Sequence, residues 1–154
     1  MEAVRELLQE GAFHESTVEQ VAARAGVSRA TVYQQFGSRV GLVDAICDSL
    51  DLSAVEASPD VATLLKRSTE FWAREETLLG QLYDAAAVDP AAREFVERQT
   101  RDRYRHLAHW VDGAGLPILG LLTSFETYVE LRRRAGLSQR QVVAYLQRAA
   151  AELL

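Results

Sequence analysis

Residues 25–39 read AGVSRATVYQQFGSR. Gly26 can take the left-handed conformation that closes one helix, and Ser28 can cap the free N–H groups of the next. The second helix closes at Gly37, barely two and a half turns later, too short to be stable without a neighbour. Its inward side is Val32, Tyr33 and Phe36, the Tyr33 ring buried with the hydroxyl outside. Arg29, Thr31, Gln34 and Gln35 fall on or near the open side. A helix, a turn of about three residues and a second short helix is the arrangement that lays one helix across a DNA backbone and sends the next into the major groove. The exposed side chains suit that task. Arginine pairs two-pronged with guanine, glutamine with adenine, and threonine or tyrosine hydroxyls reach phosphates. Arg39 opens a fourth helix beside backbone N–H groups that attract a phosphate. The same turn also occurs in helical proteins that bind no DNA.

Outward from this stretch, apolar residues recur at helical spacing, no run alternates with period two, and the chain reads as all-α. The first helix spans about 2–11, with Val4, Leu7 and Leu8 on one face, Gly11 at its end and Phe13 packed inward beyond it. Ser16/Glu19 and Thr17/Gln20 are overlapping capping-box patterns before a helix bearing Val18, Val21, Ala22 and Ala25. Ser38 caps the fourth helix, whose inside is Leu42, Val43, Ile46, Cys47 and Leu50, and residues 51–58 form a hinge. Longer helices follow at about 59–87 (broken near 75–77), 90–112, 117–135 and 138–154. Pro59, Pro90 and Pro117 suit first helical turns, and Ser138/Gln141 is a further capping box. The expected division is a small domain at 1–52 and a larger helical one at 53–154.

The chain has 154 residues, a net charge of −5 and one cysteine, Cys47. That length buries a core without metal or disulfide support, and a lone thiol is read as a small buried hydrophobe rather than a redox sensor. No apolar run approaches the ~20 residues of a membrane span, and no secretory signal pattern opens the chain; the expected place is the cytoplasm. Residues 1–52 carry 4 Arg against 8 acids. Salt screens exposed charges beyond ~8–10 Å, so acids on the far side of a small domain lower non-specific affinity for DNA without cancelling a local patch.

The run AGVSRATVYQQFGSRVGLVDAI resembles the DNA-binding end of the TetR family of bacterial transcription repressors over residues 12–51. Ser28 falls in the Ala-Gly-Val-Ser turn that this resemblance places at the DNA. It also implies phosphate contacts from Thr31, Tyr33 and Arg39 and base contacts from Arg29, Ala30 and Gln34, with Gln35 replacing the usual His. Two features depart from the pattern: Gly41 stands where an acid is usual, and the Arg or Lys residues that precede the first helix are missing, so a truncated N-terminus is the expectation. The resemblance further implies a palindromic double-stranded DNA operator, a helical ligand-binding and dimerising domain, and repression relieved by a small molecule.

In residues 53–154 the large aromatics suit an apolar cavity with a few polar points. The ligand set read from the sequence is Phe71, Trp72, Tyr83, His109, Trp110, Thr123, Phe125 and Glu126. A homodimer is expected through 117–135 and 138–154, where Val142, Val143, Tyr145, Leu146, Ala149, Ala150, Leu153 and Leu154 make a band wider than one neighbouring helix covers. Two other readings stand beside this one: a helical interaction protein with a degenerate DNA reader, and a metal-dependent binding protein using His106 and His109 with Asp102 and Asp112. Against the metal, Arg101, Arg103 and Arg105 are poor neighbours for a cation. The arginines at 93–105, interleaved with Glu94, Glu97 and Asp102, read as a solvated helix face. No nucleophile with a base at diagnostic spacing, Gly-rich phosphate loop or HExxH stands in the chain, and no cofactor is expected.

Overall fold

The computed structural model describes residues 2–10, 17–48 and 50–154, and among them every regular element is helical. In chain order these are α1 (Glu2–Gln9), α2 (Val18–Arg24), α3 (Arg29–Phe36), α4 (Arg39–Cys47), α5 (Ser53–Glu56), α6 (Val61–Ala85), α7 (Pro90–Leu107), α8 (Gly115–Leu122), α9 (Phe125–Val129), a π-helical segment (Glu130–Arg134) and α10 (Gln139–Leu153). They form two compact units, one made of residues 1–51 and 76–99, the other of 52–75 and 100–154. The expected features at Gly11, Phe13 and Ser16 lie outside the described residues, as do the side chains of Leu8, Arg39, Ile46 and Cys47.

The first unit is built on caps that the sequence announces. Thr17 and Gln20 form a full capping box at the start of α2: the Gln20 N–H donates to the Thr17 hydroxyl at 3.3 Å, and the Gln20 side-chain carbonyl accepts the Thr17 N–H at 2.7 Å. At the other end Gly26 has φ +67°, and the Val27 N–H reaches back to the Ala22 carbonyl at 3.0 Å, closing a Schellman turn. Val32 is the buried anchor of α3, while Leu42 and Val43 of α4 are almost wholly inaccessible. α1 and α2 are further joined by a fork in which Arg24 donates to both Glu10 oxygens at 2.7 Å. In the same unit, Arg98 of α7 pairs with Asp44 of α4.

The Arg24 hydrogen bonds, with the guanidinium charge adding to them, hold the Glu10 carboxyl below its ordinary value of 4.5. A depressed carboxylate stabilises the fold above its unfolded-state pKa, and that contribution disappears as pH falls through the folded-state value. The thermal midpoint is therefore expected to hold level from neutral pH down to about 5 and to fall below it, with part of the fall missing in Glu10→Gln. Melts followed by circular dichroism from pH 7 to 3 check this; an identical acid limb in the variant would remove Glu10 from the account.

Beyond residue 50 several boundaries differ from those the spacing suggests. No break occurs near residues 75–77, because Glu75, Glu76 and Thr77 are compatible with a helix and nothing there caps or turns the chain; α6 runs for 25 residues. It starts after Pro59, with the Asp60 carboxylate accepting the Thr63 N–H at 2.6 Å. The stretch 117–135 is not one helix. Thr123 turns its hydroxyl back to the Leu119 carbonyl at 2.8 Å, and Ser124 caps a new helix by accepting the Thr127 N–H at 3.1 Å. The stretch 90–112 ends as a helix at Leu107, and residues 51–58 contain the short α5. The Ser138/Gln141 capping box is present as the sequence reads. The core of the second unit includes Leu64, Leu65, Leu119, Tyr128 and Val142, each almost inaccessible.

Candidate nucleic-acid interface

The α2–turn–α3 geometry presents Ser28, Arg29, Ala30, Thr31, Tyr33, Gln34 and Gln35 as exposed residues, with Val32 alone among 28–35 buried. Ser28 caps α3: its hydroxyl accepts the Thr31 N–H at 3.1 Å and lies 2.9 Å from the Thr31 hydroxyl. Those two hydroxyls mark the N-terminal edge of α3, where helix N–H groups and partial positive charge favour a phosphate oxygen. Gln34 and Gln35 stand a turn further on. Arg39 begins α4.

Arg29 is not idle in the free protein. Its guanidinium contacts Glu19 of α2 at 2.7 Å and lies over the Tyr33 ring at 5.2 Å from the centroid. The Tyr33 ring is correspondingly not buried, contrary to the reading from spacing; it is 41 % exposed and serves as the platform for Arg29. Glu19 is held below the ordinary glutamate value by its own backbone N–H, then by the Thr17 hydroxyl and the charge of Arg29. It therefore stays ionised at neutral pH and competes with any phosphate or guanine for Arg29. Arg24 is likewise held by Glu10 and by Glu6 at 3.4 Å. The acidic balance of the segment acts through these local pairs, which spacing alone does not reveal because each crosses a turn or joins separate helices.

A short, capped, polar-faced helix anchored by one buried valine behind a Schellman turn has the form of a helix-turn-helix unit. Residues 1–46 match the family model described as bacterial regulatory proteins, tetR family, and this end of the chain is a TetR-family helix-turn-helix domain. The family is one of DNA-binding transcriptional regulators. No curated protein matches the chain.

The ligand set read from the sequence is divided between the two units. Phe71, Trp72, Thr123 and Phe125 come together: the Trp72 indole N–H donates to the Thr123 carbonyl at 3.1 Å, and its ring meets Phe71 and Phe125 edge-on at 4.9 and 5.5 Å. Phe71 and Phe125 are core, and the Thr123 hydroxyl is used within its own helix. Tyr83 belongs to the other unit, while His109 and Glu126 are exposed. The His109 ring nitrogen Nδ1 bonds the His106 carbonyl at 2.9 Å, and Asp102 is taken by Arg105. Among the described residues no three His, Cys, Asp or Glu side chains converge as metal ligands, so the Asp102, His106, His109 and Asp112 series does not form a site. No helix among them is long and apolar enough to cross a membrane.

Proposed function

We propose that the protein is a repressor that binds a palindromic operator as a homodimer and leaves it when a small molecule occupies the second unit. The observation that carries this reading is the exposed row Arg29, Thr31, Gln34 and Gln35 on α3, inside the segment that matches the family model. Two further features support it. Arg98 of α7 pairs with Asp44 of the reader's α4, so the reader is held by a later helix of its own unit. Leu121, Tyr145, Leu153 and Leu154 are large apolar side chains left exposed on the second unit, available to another copy.

Gel shifts of the protein against its own upstream DNA test the reading. Gln34→Ala is expected to relax preference at one base pair by about 1–3 kcal/mol, as loss of a two-pronged adenine contact does. Glu19→Gln is expected to bind a few-fold more tightly at low salt, since it frees Arg29 from its competitor. Equal losses across a panel of substituted operators would argue against base contact by Gln34. No complex with upstream DNA at any salt would favour an interaction protein with a degenerate reader.

A further inference from the structure

Three nitrogen atoms on α7 and the turn that follows it are shielded from water and have no hydrogen-bond partner: Arg103 Nε, His106 Nε2 and Trp110 Nε1. Arg103 and His106, three residues apart, share a face of α7, and Trp110 follows in the turn after Leu107, where the Trp110 N–H bonds the Leu107 carbonyl at 2.9 Å. Polar atoms in protein interiors are almost always partnered, and three orphans in a row call for a specific acceptor. Two of the three are obligate donors, and the third donates in the appropriate tautomer. The charge around them is positive. Arg101 and Arg105 share the helix, the neighbouring Asp102 is occupied by Arg105, and among the described residues no carboxylate pairs with Arg103. Around the helix from this row, Thr100, Arg101, Tyr104 and Arg105 line an open groove of about 510 Å³, where an anion would collect.

We propose that Arg103, His106 and Trp110 are the recognition row for a small organic carboxylate. The guanidinium supplies the charge-assisted contact, and the imidazole and indole N–H groups take the carboxylate's second oxygen or a further acceptor one ring-length away. This rests on the reading of the second unit as the effector domain and gives that effector its chemical class. The donor set matches an anion and leaves a cation or a hydrocarbon without a partner. Trp72, the other tryptophan, already donates to Thr123, which sets Trp110 apart as the indole awaiting an acceptor.

The test uses the full chain labelled with nitrogen-15, whose two indole N–H signals are assigned with Trp110→Phe. Benzoate, 4-hydroxybenzoate and phenylacetate are titrated beside their amides. At least one carboxylate is expected to move the Trp110 indole signal saturably while its amide does not, and Arg103→Met is expected to weaken that binding tenfold or more with the melting temperature retained. Trp110→Phe, which keeps the ring and deletes only the N–H, is expected to weaken it several-fold. The proposal is overturned if no carboxylate moves the signal, if acid and amide act alike, or if both variants bind as the unaltered protein does. Gel shifts separate the two readings. Binding that moves Trp110 and leaves the operator complex intact supports the row and removes the release mechanism; carboxylate-driven release that persists in both variants keeps the mechanism and removes the row.

Discussion

Gly41→Ala is expected to lower the stability of the reader and abolish operator binding, although alanine is the better helix former by up to ~1 kcal/mol. Gly41 lies in the first turn of α4, and a Cβ built there would stand 1.9 Å from the Phe36 carbonyl oxygen and 3.0 Å from its carbon. The obstacle is backbone, the last residue of α3, and it cannot rotate aside as a side chain would. Relief requires α3 to move from α4. The expected cost, offset in part by the propensity gain, is about 1–3 kcal/mol or more, the range for forcing extra atoms into a packed site. The Phe36 carbonyl also receives the Ser38 N–H at 2.8 Å, so the turn that sets the angle of α3 is disturbed together with the contact. A thermal melt decides between the two effects: propensity alone raises the midpoint, the clash lowers it. At Gly120 of α8 the same addition would meet the far end of the Tyr104 side chain at 2.5 Å rather than backbone, and a smaller effect is expected there.

This glycine shows where the sequence could be read and where it could not. Gly26 and Gly37 stand at helix ends, where a positive φ of +67° and +70° is what the pattern foretells. Thr17/Gln20 and Ser138/Gln141 are likewise local, each cap needing only four residues of chain. Gly41, by contrast, looks like a weakness in a helix until the Phe36 carbonyl is seen above it. The break at Thr123 and Ser124 was hidden because the flanking residues continue an apolar helical pattern, and only the hydroxyl bonds to Leu119 and from Thr127 end one helix and start another. The exposed face of α3 was legible from period and cap. The grip of Glu19 on Arg29 was not, since it joins residues on either side of the turn. The orphaned nitrogens of Arg103, His106 and Trp110 were invisible for the same reason: whether a donor has a partner depends on what the rest of the fold brings near it.

Tyr145→Glu combined with Leu153→Glu is expected to give a folded monomer whose operator affinity falls by roughly 10²–10⁴. The band of apolar residues on α10 is wide, but the chain itself covers much of it. Val142, Leu146 and Ala150 are buried against their own unit, as are Leu119, Leu122 and Phe125 of the preceding helices. Leu146 is 3 % exposed, so a charge there would unfold the unit and report nothing about association. What the fold leaves outside is Tyr145 at 47 %, Leu153 at 58 % and Leu154 at 47 % on or after α10, with Leu121 at 63 % on α8. α8 and α10 pack on each other, and residues this large and this exposed are what an isologous two-fold interface would bury. Because both substituted residues already face solvent, the monomer should keep its helical content and its melting behaviour. Each α3 would still meet a half-site, but alone. The loss would then be that of linkage, since the second reader no longer binds as an intramolecular event. Sedimentation at micromolar concentration beside gel shifts on full and half operators decides the matter. A wild-type protein that sediments as a monomer would overturn the dimer itself, and a doubly charged variant that holds the full operator normally would place any two-fold axis away from this face.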